Sequence, residues 1–467
     1  MSAAGTFPLL AGLVVALGVA VLAWHARPAT TISAGIVLLS CSGSWSRLGL
    51  PSAVAPDRFL LLLGAAAALL RRDGPGGARL RPVLGIEHAL LGAAVAWALV
   101  SALAAGTLGS GAFRLLDRYG VMAFALALAA PVAFRSERDR RTLLLALTGL
   151  GAYLALTALF EIAGPHALVF PRYIADPAYG IHYGRARGPF VEAAVNGFAM
   201  FACGAAALVL AAPASRQASS SPARVRRTPR RLRPPLAGAD IRHGRAVPYA
   251  VAALCALGLV LTLQRTIWIG ASVAIVVVLL SRRELRPKLL PVAAAGLLLV
   301  VGALAVVPGL ADRAGERRIA QRSVWDRVNL DGAAVAMVRA RPLTGFGWNR
   351  FTDRDAPYFW QSDAAPLTAG DIIPHNALLA NAAELGLPAA LLWIGGIAAA
   401  VGAALRARRP PAADPWRDVL LGLAVVALAL MLFTPLLSPW PLVVLLTWSG
   451  ALRAQALHPS ALRAVAP

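Results

Sequence analysis

The sequence predicts an all-α protein that crosses a membrane many times, and three observations carry that prediction. The chain of 467 residues is 58% hydrophobic and only 14% charged, which leaves more apolar surface than one soluble core can absorb. Its apolar runs are continuous and of bilayer-spanning length; a barrel would alternate, and lipid makes each segment pair its own backbone groups. The formal net charge of +23 sits largely as arginine in short links between those runs, where the positive-inside rule places it. Read this way the charge is a topology signal and gives no support to a nucleic-acid partner. Cys41, Cys203 and Cys255 lie in apolar segments without metal-ligand spacing, so they indicate neither a disulfide framework nor a zinc site.

Taken in order, the N-terminus lacks a basic leader, and the apolar run 7–24 reads as a retained first span. The runs 32–42 and 59–70 are brief for full spans, with Pro51 and Pro56 between them, which suits tilted or re-entrant segments. After Arg71, Arg72, Arg79 and Arg81 come spans over 84–105, 119–134 and 142–162. The segment 164–188 then faces outward by alternation, with Arg185 and Arg187 just ahead of a span over 190–212. Residues 1–212 therefore form a first block of spans.

The linker 213–247 holds a Ser run, several prolines and a dense set of arginines with Asp240 as its only acid. It offers almost nothing apolar to bury and reads as cytoplasmic and without fixed structure. Block 248–307 follows, a hairpin of two spans turning at Gln264-Arg265-Thr266 and a third span over 289–307. Arg265 lies between apolar spans with no acid near it in sequence, and such a group is by default a functional candidate.

The large outward loop 308–374 opens with 313–339. There Ile319, Trp325, Val328, Ala336 and Val338 alternate with Arg317, Arg318, Arg322, Asp326 and Arg327 in the pattern of an amphipathic helix on the outer leaflet. Its arginines form a solvated face or meet phosphates. Block 375–457 has a long span from His375 to about residue 405 and a last hairpin turning at Ser438-Pro439-Trp440-Pro441; a tail, 458–467, ends the chain. The total is about twelve to thirteen spans.

Chemistry is expected in 339–387, which is polar, aromatic and rich in Gly and Pro between two apolar blocks. It contains Arg341-Pro342-Leu343-Thr344-Gly345-Phe346-Gly347-Trp348-Asn349-Arg350-Phe351, then His375-Asn376, then Glu384-Leu385-Gly386. These motifs, in this order, resemble the signature of the O-antigen ligase and polymerase family of bacterial membrane glycosyltransferases. The resemblance extends to Arg265, preceded here by Gln where similar proteins carry Ser, and to Arg185, Arg187, Gly188 and Asn196. It implies a GT-C-like bundle in the bacterial inner membrane with one large periplasmic loop. It also implies transfer of a glycan from undecaprenyl diphosphate to an acceptor hydroxyl, with no metal and no cofactor. The acceptor is a lipid A core sugar for a ligase and a second carrier-linked glycan for a polymerase, with membrane lipids as surroundings.

The residue types suit that chemistry. Arginine offers a planar fork of donors that cannot lose its proton, fitted to a diphosphate. Arg185 or Arg187, Arg265, and Arg341 or Arg350 are thus the candidate phosphate ligands, with Asn376 beside them; Arg265 and His375 are the candidate catalytic groups. An imidazole can take the acceptor's proton or orient the phosphate. Glu384 lies nine positions beyond His375, nearly on the opposite helix face, and reads with Gly386 as packing or support. Gly345 and Gly347 read as a tight turn, since GxG without a strand-helix unit is weak evidence of a phosphate cradle. Asp353-Arg354-Asp355 is a DxD triplet of a kind common by chance, and no metal is expected there. The rival class, a transporter or flippase, calls for matched halves and broken helices at the midplane; no matched halves are visible.

Overall fold

A computed structural model describes residues 18–50, 55–71, 82–212, 237–319, 322–355, 357–365, 374–407 and 414–457. Among them all regular structure is helical. After a helical stretch over 18–25 come α1 (Pro28–Leu38), α2 (Pro56–Leu70), α3 (Ile86–Ala104), α4 (Leu108–Phe113), α5 (Val121–Ala133), α6 (Glu137–Ile162) and α7 (Ala193–Ala211). The second half holds α8 (Ala237–Leu261), α9 (Arg265–Ser281), α10 (Leu289–Val306), α11 (Leu310–Ile319), α12 (Arg322–Ala340) and α13 (Phe351–Arg354). It ends in α14 (Ala377–Leu385), α15 (Leu387–Arg406), α16 (Asp414–Phe433) and α17 (Trp440–Leu457).

Among the described residues, six helices are long and apolar enough to cross a membrane: α3, α6, α7, α15, α16 and the Arg286–Val306 segment that contains α10. The apolar helices of α1, α5 and α9, and Arg245–Leu261 within α8, are shorter. This is the all-α polytopic membrane architecture that the continuous apolar runs predict.

Small side chains let the helices approach closely, as packing in lipid requires. A Cβ on Gly151 of α6 would stand 2.8 Å from Cys203 Cβ and 2.9 Å from Cys255 Sγ, so the two buried cysteines fill the α6–α7–α8 contact. Gly396 of α15 similarly accepts Leu91 of α3. Arginines tie down one end of the bundle. Arg27 pairs with Asp139 at 3.1 Å, Arg71 donates to the carbonyls of Trp24 and Ala26, and Arg282 reaches Asp418 at 3.1 Å. The links before α2, α5, α7 and α9 and the polar stretch before α14 gather at the other end, called here the loop end. There Tyr179 donates to the carbonyl of Gly43 and Arg185 to Gln264.

Three sequence expectations are corrected. The span from His375 to residue 405 is not continuous: it breaks at Gly386, with φ +84 and ψ 163, into α14 and α15, and Pro388 starts the second piece. Within the amphipathic stretch 313–339 the described residues are helical, as α11 and α12. The buried stripe of α12 is Leu330, Ala334 and Met337, while Val328 faces out, because the stripe follows the contact with Ala383 and Leu379 of α14. The linker ends earlier than residue 247, since α8 already includes Ala237. Residues 1–17, the linker over 213–236, the tail 458–467 and the side chains of Ile319, Arg317, Arg318 and Arg322 lie outside the described residues.

Candidate active site at the loop end

The two halves of the 339–387 motif are physically one unit. Backbone N–H groups of Phe346 and Gly347 donate to the carbonyls of Ala383 and Glu384, and that of Leu387 donates to Pro342. The fit is close enough to exclude a Cβ: on Gly345 it would lie 2.3 Å from the Glu384 carbonyl carbon, and on Gly386 2.2 Å from the Leu343 oxygen. Both glycines also hold left-handed φ, +64 and +84. Glycine here is a steric requirement of the docked loop, and the phosphate-cradle reading is unnecessary.

The Glu384 carboxylate is the hub. It is buried, accepts from the backbone N–H of Asn349 at 3.2 Å and of Phe351 at 3.1 Å, and pairs with Arg114 at 2.6 Å. Arg114 belongs to a π-helical turn, Arg114–Tyr119, that follows α4, and its guanidinium lies 4.6 Å over the Trp348 ring. Thr107 donates to the Trp348 carbonyl at 2.7 Å, and Tyr119 stands between Trp348 and Trp393. The loop is thus clamped to both α3–α5 and α14–α15.

Next to this clamp lies a polar cluster with incomplete hydrogen bonding. His375 stands one residue before Asn376, whose Oδ1 caps α14 by accepting from the N–H groups of Leu378 and Leu379 at 3.1 Å. Arg327 of α12 is within electrostatic reach of both His375 and Arg265. Asp331 stands four residues beyond Arg327, so the two share a helix face. His375 Nδ1, Arg327 Nε, Asp331 Oδ1, Asp326 Oδ1 and Arg185 Nε are all buried with no hydrogen-bond partner among the described residues. Native interiors rarely tolerate such a concentration of unpaired polar atoms without a functional reason.

Electrostatics follow from the burial. Burial first, and then the Arg327 charge, lowers the His375 pKa, with Asp326 opposing; the imidazole is therefore neutral at pH 7. Burial lifts the Asp331 carboxyl to about 6 against the pull of Arg327. Burial, helped by Arg265 and opposed by Asp331, also weakens the hold of Arg327 on its proton, although a guanidinium stays charged.

The remaining arginines divide by environment. Arg265, at the start of α9, is exposed and forms no hydrogen bond among the described residues. Arg185 donates to the Gln264 side chain at 2.6 Å, which brings it to the same turn. Arg187 is fully buried: its guanidinium donates to the carbonyls of Ile174, Asp176 and Tyr179 and faces Glu161 at 3.5 Å. Arg350 pairs with Asp353 at 2.9 Å and donates to the Ala105 carbonyl. Arg341 is exposed over the Phe346 ring at 4.7 Å. The cluster therefore brings Arg185, Arg265 and His375 toward Arg327, and it leaves Arg187 and Arg350 in protein contacts.

Sequence reasoning missed the parts played by Arg114, Arg327 and Asp331. Arg114 follows a weakly helical polar stretch with no motif of its own. The Arg327/Asp331 pair shows only as an i, i+4 spacing in a helix rich in both signs.

A Gly345→Ala variant tests the docked loop against a glycine of like backbone. Gly184 has φ +82 but open space where a Cβ would go, so Gly184→Ala should cost only the left-handed penalty of about 1–2 kcal/mol. Gly345→Ala is expected to lower the thermal midpoint in detergent markedly more. Equal shifts would contradict the docked geometry.

Helices, loop end and cationic cluster together define a multi-pass membrane protein with a basic site at one end of its bundle. Residues 250–394 match the family model described as O-Antigen ligase, a segment that contains Arg265, Arg327, His375 and Glu384. The match is to the family that the 339–387 motifs resemble, and over 250–394 it supports an O-antigen ligase and polymerase assignment. No curated protein matches the chain.

Proposed function

We propose that this protein transfers an O-antigen-like glycan from undecaprenyl diphosphate to an acceptor hydroxyl at the outer face of the bacterial inner membrane, without a metal. The favoured acceptor is a lipid A core sugar. The observation that carries the reading is the convergence of His375, Arg327, Arg265 and Arg185, three of them with buried unpaired nitrogens, inside or beside the matched segment. In this reading Arg265, Arg327 and Arg185 hold the diphosphate, and Arg341 stands at the rim. Arg187 and Arg350 serve the scaffold, because their donors already meet protein carbonyls and carboxylates.

The chemical step then follows from charge. The acceptor oxygen attacks the anomeric carbon while His375, neutral and half-buried, takes its proton. The bond from that carbon to the phosphate oxygen breaks, and the electron pair leaves on the diphosphate, where the arginines stabilise charge that grows in the transition state. Low dielectric around a half-buried imidazole favours this use over a permanent cation at the phosphate.

The test is glycan transfer in vesicles, with purified protein, the carrier-linked glycan, and either core lipid or a second carrier-linked glycan as acceptor. Product on core lipid, unaffected by chelator and reduced about 10²- to 10³-fold by Arg265→Ala, supports the ligase. Chain growth without core lipid would make the protein a polymerase. Movement of labelled lipid across the bilayer with no product on either acceptor would replace the transferase by a flippase.

A further inference from the structure

Arg185 and Arg187 meet opposite kinds of partner. Arg187 faces the Glu161 carboxylate at 3.5 Å, and that carboxylate also accepts from the backbone N–H groups of Arg187 and Gly188 at 3.1 and 3.0 Å. Its charge is matched inside the protein. Arg185 gives Nη1 to Oε1 of Gln264 at 2.6 Å, and among the described residues it has no carboxylate partner, while its Nε is buried and unpaired. A neutral amide orients a guanidinium and leaves its charge whole, whereas a carboxylate would cancel it.

The backbone fixes this contact from both sides. The N–H of Ala186 donates to the carbonyl of Leu261 at 3.1 Å, and the Ala186 carbonyl accepts from Asn196 Nδ2 at 3.0 Å. The residue next to Arg185 is thereby held between the end of α8 and the start of α7. In the turn itself Leu263 holds a left-handed φ of +50, uncommon for a residue other than glycine. Oγ1 of Thr262 and Nε1 of Trp268 both donate to the Leu259 carbonyl, at 2.7 and 3.1 Å, and brace the turn around it. Such strain persists only where the surroundings over-determine it. Gln264 is 7% exposed and occupies the N-cap position of α9, where Ser, Thr, Asp or Asn would cap the helix; its side chain makes no capping bond. Its oxygen is given to Arg185 instead.

We propose that Gln264 is a positioning residue, which holds Arg185 beside Arg265 as a two-armed clamp for a diphosphate and leaves both charges available to it. That the diphosphate is the glycan donor's rests on the transferase function proposed above; the clamp itself does not. The physical gain is preorganisation. A long side chain ordered only on binding loses rotamer freedom that one already held does not lose. Donors fixed in advance also need no reorganisation when charge grows on the leaving group.

The experiment measures binding of inorganic pyrophosphate by calorimetry on the full chain in detergent, and KM for donor and acceptor in vesicles. Gln264→Met removes the acceptor oxygen and keeps the volume; Gln264→Asn keeps the amide but draws it back by one methylene. Each should weaken pyrophosphate binding and raise the donor KM about five- to tenfold, with the acceptor KM unchanged. Asn at an N-cap also suits the start of α9, so the thermal midpoint of Gln264→Asn should match or exceed that of wild type while its affinity falls. A merely structural role would move both the same way. In an Arg185→Ala background, Gln264→Met should change pyrophosphate binding by less than about twofold, because the arm it aims is gone. Should Gln264→Met fail to fold, Gln264→Asn carries both comparisons. Wild-type binding in the Gln264 variants, an undiminished effect in the Arg185→Ala background, or no pyrophosphate binding by the wild type overturns the proposal. Transfer separates the two readings. If Arg265→Ala abolishes transfer while the Gln264 variants keep the wild-type donor KM, the clamp falls and the function stands. Should wild type show no transfer on either acceptor yet bind pyrophosphate through Gln264 and Arg185 together, the transferase reading falls and the clamp remains.

Discussion

His375→Ala is expected to lower glycan transfer by about 10²- to 10⁴-fold, the usual contribution of a positioned general base. The pH profile distinguishes this from a lost phosphate contact. A base must be unprotonated, so wild-type kcat/KM should rise with pH along an acid limb whose midpoint lies below the ordinary histidine value of 6.5. Burial sets that displacement first, and the Arg327 charge adds to it. Arg327→Gln should therefore reduce the rate through weaker diphosphate binding and at the same time move the acid limb to higher pH. The Asp331 carboxyl, lifted to about 6, titrates in the same window, and its protonation removes the counter-charge of Arg327. Asp331→Asn is the control: it should leave a single, less steep limb. In the Asp331→Asn background, an acid limb that disappears on adding His375→Ala while residual activity persists fits the base; one unchanged by His375→Ala would assign the titration elsewhere and sink this role.

Arg114→Ala is expected to have the largest effect on the folded state, about 3–5 kcal/mol, because it strands a carboxylate inside the protein. The Glu384 side chain is 2% exposed, and Arg114 is its ion-pair partner. The cost should be borne locally, by the loop carrying Gly345 to Phe351, whose Asn349 and Phe351 N–H groups meet that same carboxylate. Thermal unfolding in detergent and limited proteolysis of the loop measure it. Pairing Arg114→Met with Glu384→Gln removes both charges, so the double variant should be less damaged than the sum of the two single ones. A loss below about 1 kcal/mol in Arg114→Ala would mean that the pair is only an ornament of a loop held by other contacts.

The sequence by itself determined the architecture, and it pointed to 339–387 as the stretch where chemistry is expected. Continuous apolar runs specify helices because lipid cannot satisfy an open backbone, and links rich in arginine mark one end of the bundle. An Arg-rich, His-ended polar stretch between such runs has few other uses, and its motif carried the family resemblance. Periodicity was less informative where a helix touches protein on one side and a loop on the other. In α12 the apparent stripe through Val328 is not the buried one, because Ala383 and Leu379 of α14 select Leu330, Ala334 and Met337.

Only the tertiary structure decided which of the equivalent-looking arginines are engaged and which are not. Arg185 and Arg187 are two residues apart and chemically identical. One reaches Gln264 beside Arg265, while the other disappears among the carbonyls of its own loop. The break at Gly386 likewise depends on a loop some forty residues upstream lying against it, and Arg114 has meaning only through Glu384, distant in sequence. Each of these depends on which groups meet across the fold, and a buried charge is fixed by its partner, not by its neighbours along the chain.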